Sequence, residues 1–259
     1  MKIRGITLNL LGALAVVAPA GAVPVSSTAS DSAQACGYIV EGRDTATAVT
    51  AVRRAGGRIT HELPIVNGVS ADLTPRQVAQ LREVADLQLI ADALVTTQAV
   101  GTTHDIYQRA MVGPDQLAAQ GFFGNGITVA VLDSGLWYSH NNVKNDLNGT
   151  NKILAMYDAI VGKLQNARDD AGHGSHIATI IGSPDVSVNG QPPGIAPMAR
   201  LGGVKAFDGN GSASYATVIN GLNWTLANKA KYNIRILNLS FGARGRSRST
   251  GTTRSTRRS

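Results

Sequence analysis

Cysteine is almost missing from this sequence: Cys36 is the only one in 259 residues, which excludes an internal disulfide and a multi-cysteine zinc site. Long apolar runs are also missing, apart from one at the extreme N-terminus, so the chain does not encode a multi-span membrane protein. Proline is scarce, with 9 residues against 29 glycines, and charged residues make up 16% against 43% hydrophobic. That balance lets the chain bury one sizeable core plus a smaller module rather than remain disordered. A distributed positive charge is lacking as well, despite a formal +7 and a pI near 9.8. Six arginines between Arg244 and Ser259, with no acid among them, account for all but +1, and Lys2 and Arg4 bring the remainder to -1. The part that folds is close to neutral and offers no electrostatic footprint for a nucleic acid.

What is present falls into segments. Residues 1–22 read as an export signal: Lys2 and Arg4 open it, Leu8 to Val17 is mostly apolar, and Ala20-Gly21-Ala22 supplies small residues for cleavage. A membrane-anchoring helix is the competing reading, but the apolar stretch falls short of the ~20 residues needed to cross a bilayer. The expectation is a secreted chain with no membrane attachment once the signal is removed. Cys36 follows Ala33-Gln34-Ala35, a poor lipidation signal, and reads as a small core residue or a free thiol.

Residues 36–97 alternate as strand, helix, strand, strand, helix, strand. Gly37 to Glu41 opens the unit, Gly56-Gly57 stops the first helix, Thr74-Pro75 caps the second, and a last strand is expected from Leu87 to Val95. This pattern predicts a small α+β, ferredoxin-like module. A linker at 98–116 separates it from residues 117–243. There a nearly continuous apolar strand, Ile127 to Leu132, predicts burial on both faces of a parallel sheet. Further strands are expected at 152–157, 201–207 and 234–239, with helices at 173–181 and 213–229, which makes the domain α/β. Residues 244–259 are low-complexity Arg/Ser/Thr/Gly, fitting either a functional basic tail or a frame-shifted terminus.

Two residues stand where chemistry is done. Asp133 ends the apolar strand in Val129-Ala130-Val131-Leu132-Asp133-Ser134-Gly135, at the end of a parallel strand where α/β sheets place ligands; taken alone it also fits a turn or helix cap. His173 lies in Gly172-His173-Gly174-Ser175-His176, with glycines that admit backbone close to the imidazole. A histidine can shuttle a proton to and from a nucleophile when a carboxylate fixes its tautomer. The rival reading, a metal held by His173 and His176, lacks a clear third ligand, and no metal site is expected.

These blocks resemble the first two blocks of the subtilisin-like serine proteases, and Asp before His is the known order in subtilisin itself. A third block is similar too: Pro193 to Ala199, then Val204-Lys205-Ala206-Phe207, Trp224, and Ile236-Leu237-Asn238-Leu239-Ser240-Phe241-Gly242. The resemblance implies an incomplete subtilisin-like parallel-sheet domain at 117–243. In it Asp133 orients His173, His173 is the general base, and Ser240, Phe241 and Gly242 form an edge that pairs with the backbone of a peptide substrate. Residues 36–97 resemble the family's inhibitory propeptide, a partner in cis whose last residues lie in the cleft, with cleavage between Val95 and Thr103. No cofactor is required by this resemblance; calcium is the one structural ion it allows.

The family's nucleophile block, of the type Gly-Thr-Ser-Met-Ala, and the Asn that donates to the oxyanion are not found. Ser247, Ser249, Ser255 and Ser259 sit in low-complexity sequence. Losing one oxyanion donor costs ~2.7–4 kcal/mol, and losing the nucleophile removes the covalent route. The expectation is a secreted serine endopeptidase precursor whose chain, as written, is inactive. Two alternatives stand beside it: a propeptide-like inhibitor or folding chaperone of a related protease, and a protein that binds anionic surfaces through its basic tail.

Overall fold

Helix caps legible in the sequence organise the N-terminal part. Asp44 starts α1 (Thr45–Arg54) by accepting the Thr47 amide at 2.7 Å. Thr74 and Gln77 form a capping box around Pro75 at the start of α2 (Pro75–Arg82). With these helices, β1 (Cys36–Glu41), β2 (Arg58–Leu63), β3 (Gly68–Leu73) and β4 (Gln88–Ala91) form an antiparallel sheet in the order β2-β3-β1-β4. Val40, Val69 and Leu73 pack with Val52 and Leu81 of the helices into one core. The computed structural model describes residues 34–97, 112–185 and 194–242. The expected export signal, residues 98–111 of the linker and the tail at 244–259 lie outside the described residues.

Sequence patterning ran a single strand from Leu87 to Val95; the chain divides it. β4 ends at Ala91, and Leu94–Thr97 forms β5 in a different sheet. Asp92 makes the corner: its N–H donates to the Gly37 carbonyl, and its carboxylate accepts the Ala216 N–H, both at 3.0 Å. A partner 124 residues away leaves no local signal.

In chain order there follow α3 (Pro114–Ala119), β6 (Thr128–Asp133), α4 (Asn141–Lys144), β7 (Ile153–Asp158), β8 (Lys163–Leu164), α5 (His173–Gly182) and β9 (Arg200–Lys205). β10 (Ser212–Ser214), α6 (Tyr215–Ala227), β11 (Ile234–Leu239) and β12 (Phe241–Gly242) complete the described chain. α3 begins within the expected linker segment, with Pro114 in the first helical position after Gly113 at φ +62°. The main sheet has the order β11-β6-β9-β7-β8 and is parallel except for β8. All six residues of β6 are buried, as expected for an inner parallel strand with cover on both faces. β11 lies at the edge of the described sheet and exposes Ile236 and Leu239.

The antiparallel sheet lies on α6. Ile39 and Leu63 bury themselves with Ala216, joined by Ile219 and Tyr215, and the Ile65 N–H donates to Asn223 Oδ1 at 2.9 Å. The sheet thus covers an apolar helix face and holds the start of β5 at a fixed place on the second part of the chain.

Candidate active site

β6 delivers Asp133 to the C-terminal end of the sheet, where the side chain has no exposure at all. The chain then turns through Gly135 at φ +113°, a conformation that side-chain-bearing residues rarely adopt. His173 opens α5 and is also buried, at 8% exposure. The glycine beyond it has a specific use: a Cβ on Gly174 would run into the Gly135 carbonyl oxygen, so only glycine lets the helix start sit against the β6 turn. Those glycines therefore set the approach of helix to turn, and the imidazole position follows from it.

The result is a hydrogen bond of 2.8 Å between His173 Nδ1 and Asp133 Oδ1, across 40 residues of sequence. The same carboxylate oxygen accepts the Ser134 N–H at 2.7 Å. Asp133 Oδ2 is buried and has no hydrogen-bond partner among the described residues. An ionised carboxylate facing Nδ1 keeps the proton on that nitrogen, which leaves the Nε2 lone pair free to act as a base. His176 is exposed on the same helix, and among the described residues no group of three His, Cys, Asp or Glu converges as a metal site. His173 and His176 therefore share no third side-chain ligand of these types among those residues. Asp146, Asp158 and Asp208 each accept two backbone N–H groups in their own turns.

Two side chains that sequence reasoning did not single out, Asp169 and Lys205, brace the pair. Asp169 accepts the Ser134 hydroxyl at 2.8 Å and both the N–H and hydroxyl of Ser175, at 2.8 and 2.6 Å. Burial works against its charge, but the donors from Ser175, Ser134 and Gly172 outweigh burial and hold its carboxyl below the usual range. Lys205 donates to the Ser134 carbonyl at 2.9 Å, the Arg168 carbonyl at 3.0 Å and Asp170 Oδ2 at 3.0 Å, tying the β6 turn to the loop before α5. An acid four residues before His173 is the one local signal for Asp169, and it does not by itself tell a turn residue from a hydrogen-bond hub.

The residues expected to form a peptide-pairing edge lie at the same end of the sheet. Leu239 is level with Leu132, one residue before Asp133, and Phe241–Gly242 continue as β12. β5 runs antiparallel between β12 and β10, with Phe241 opposite Thr97, Gly242 opposite Thr96, and Ala213 opposite Val95. Thr97 N–H donates to the Gly211 carbonyl at 2.8 Å. Val95 is 3% exposed and packs in a cluster with Ala213, Val218 and Phe207, whereas Leu94 points out at 70% exposure. Ser240 precedes β12, its hydroxyl within 2.9 Å of Asn238 Nδ2. The helix expected from residue 213 starts only at Tyr215, because Ser212–Ser214 are drawn into a strand by pairing with β5. Ser247, Ser249, Ser255 and Ser259 lie outside the described residues.

Comparison with known proteins points the same way. Residues 124–258 match the model of the subtilase family. Subtilisin E of Bacillus subtilis (strain 168) is 28% identical over 229 residues, covering 82% of this chain and 55% of that protein. The major intracellular serine protease of the same organism is 38% identical over 128 residues, covering 49% of this chain and 37% of that protein. In fold, the chain is similar to the crystal structure of fervidolysin from Fervidobacterium pennivorans, a keratinolytic enzyme related to subtilisin. The TM-score is 0.57 at 20% identity, over 83% of this chain and 37% of that one. The chain spans about half the length of Subtilisin E.

Proposed function

The chain belongs to the subtilase family, and from that premise we propose that it is the secreted precursor of a subtilisin-like serine endopeptidase, with residues 36–97 as its inhibitory propeptide. The observation that carries the reading is β5. It is an extended segment hydrogen-bonded on both sides at the end of the sheet where Asp133 meets His173 of α5, the arrangement in which a peptide adds a strand to an edge. Peptide substrates would take the same track, with Phe241 and Gly242 pairing to their backbone and a branched aliphatic side chain filling the place of Val95. Cleavage of the propeptide would fall between Val95 and Thr103.

In this reading Asp133 holds His173 in the tautomer that leaves Nε2 free. His173 accepts the proton as a serine oxygen bonds to the scissile carbonyl carbon, then returns it to the leaving amine as the C–N bond breaks. Water repeats the sequence on the acyl-enzyme. No serine in the sequence stands in a nucleophile block, so turnover by this chain alone is expected to be nil.

The test has two parts. The purified full chain, assayed on a fluorogenic peptide carrying valine at the position of Val95 and followed by intact mass, should neither turn over nor shorten. Scission between Val95 and Thr103 that His173→Ala abolishes would show catalysis in this chain and overturn its expected inertness. Reading the locus beyond the codon for Gly242 in all three frames should reveal an Asn-Gly segment and a Gly-Thr-Ser-Met-Ala block. Their absence from every frame would refute the endopeptidase reading. It would favour the second reading that the docked β5 also supports, an inhibitor or chaperone of a related protease, which titration of the full chain against Subtilisin E would measure.

A further inference from the structure

Asp169 stands outside the pair that would do the chemistry, yet it accepts more hydrogen bonds than either member. Its Oδ1 takes the Ser134 hydroxyl and the Gly172 N–H at 2.8 Å and the Ala171 N–H at 3.1 Å; its Oδ2 takes both Ser175 donors. Such saturation by donors keeps the group ionised in a half-buried loop.

We propose that Asp169 is a positioning residue for the Asp133–His173 pair, acting through the Ser134 hydroxyl; the inference rests on reading His173 as the base. Ser134 has one hydroxyl proton and two carboxylates in reach, Asp169 Oδ1 at 2.8 Å and Asp133 Oδ1 at 3.2 Å. The shorter contact claims the proton. The hydroxyl oxygen meanwhile accepts the Gly174 N–H at 2.9 Å, so its negative end faces the pair. Asp133 Oδ1 is left with two donors, the Ser134 N–H and the His173 ring. A carboxylate with few other donors is the stronger partner for a protonated imidazole. Asp169 thus directs the Ser134 proton away from Asp133 and anchors the first turn of α5 through Ser175.

Removing the charge should release that proton. In Asp169→Asn the Ser134 hydroxyl turns to the ionised Asp133, a better acceptor than an amide oxygen, and a negative charge within ~9 Å of the imidazole is lost. Both effects disfavour the imidazolium, so His173 gives up its proton at lower pH in the variant than in the native chain. Ser134→Ala removes the oxygen whose negative end faces the pair and lowers the His173 pKa in the same direction. Ser175→Ala loosens the helix start but leaves the Asp169–Ser134 link intact, so it lowers the melting temperature without moving His173.

The measurement is an NMR titration of the full chain labelled at the imidazole nitrogens, with the five histidines sorted by His173→Gln and His140 as the unmoved reference. A folded Asp169→Asn chain with an unmoved His173 would overturn the proposal. So would equal shifts in all three variants, which would assign the effect to helix loosening. Should Asp169→Asn fail to fold, Ser134→Ala decides by the same criterion. Because the readout is protonation and not turnover, a chain that hydrolyses nothing still gives the answer, and absence of hydrolysis bears only on the functional reading.

Discussion

Replacing Lys152 by methionine should change from neutral or stabilising to destabilising as the pH is raised. Lys152 has no exposure, and its ammonium donates to the Gly182 carbonyl at the C-terminal end of α5. Burial pushes the amine down from 10.5 to about 8, with Asp146 opposing in part. The unfolded chain keeps its proton up to about 10.5 while the folded chain releases it near 8, so the unfolded state binds more protons between those values and stability rises with pH. A difference of that size is worth at most about 3 kcal/mol. Methionine carries no such burden, but it forfeits the hydrogen bond to Gly182, at ~1–2 kcal/mol. Lys152→Met should therefore match or exceed the native chain by ~1–2 kcal/mol at neutral pH and fall below it by a similar margin near pH 10.5. Urea titrations of both chains across this range give the difference directly. Other groups, including Tyr157, whose phenol burial pushes up, are common to both chains and cancel. A stability difference that stays flat with pH would refute the reasoning.

Three more outcomes follow from the same structure. Burial lowers the pKa of His61, against the opposing pull of the Ile160 and Ala159 backbone and Asp92, so the folded chain should lose stability as pH drops below 6.5. His61→Gln should flatten that acid slope in thermal melts, and an unchanged slope would place the effect elsewhere. Gly174→Ala forces a Cβ against the Gly135 carbonyl and should cost roughly 2–3 kcal/mol, with loss of the His173 Nδ1 proton signal; a native melting temperature would contradict the packing described. Val95→Asp puts an unpaired carboxylate into the cluster around Phe207 and Ala213, which should expel β5. Hydrogen exchange at the Thr97 amide should then accelerate at least a hundredfold, ~3 kcal/mol of lost protection, while amides of β1 and β3 hold.

Sequence alone determined the contiguous features. The apolar run of β6 was placed within one residue, because burial on both faces demands unbroken hydrophobicity. The Thr74-Pro75 helix start and the glycines flanking His173 were equally legible, since caps and tight approaches are written in neighbouring residues. Asp133 and His173 could be named from their blocks, but their 2.8 Å contact exists only because β6 and α5 converge. Tertiary structure alone decided that Asp92 ends one sheet and starts another, that Asp169 gathers donors from both flanks of the pair, and that Lys152 is buried. No local pattern buries a lysine or makes a loop aspartate a hub. Those outcomes depend on which distant carbonyls and hydroxyls the packed elements bring within 3 Å, and that convergence belongs to the whole fold.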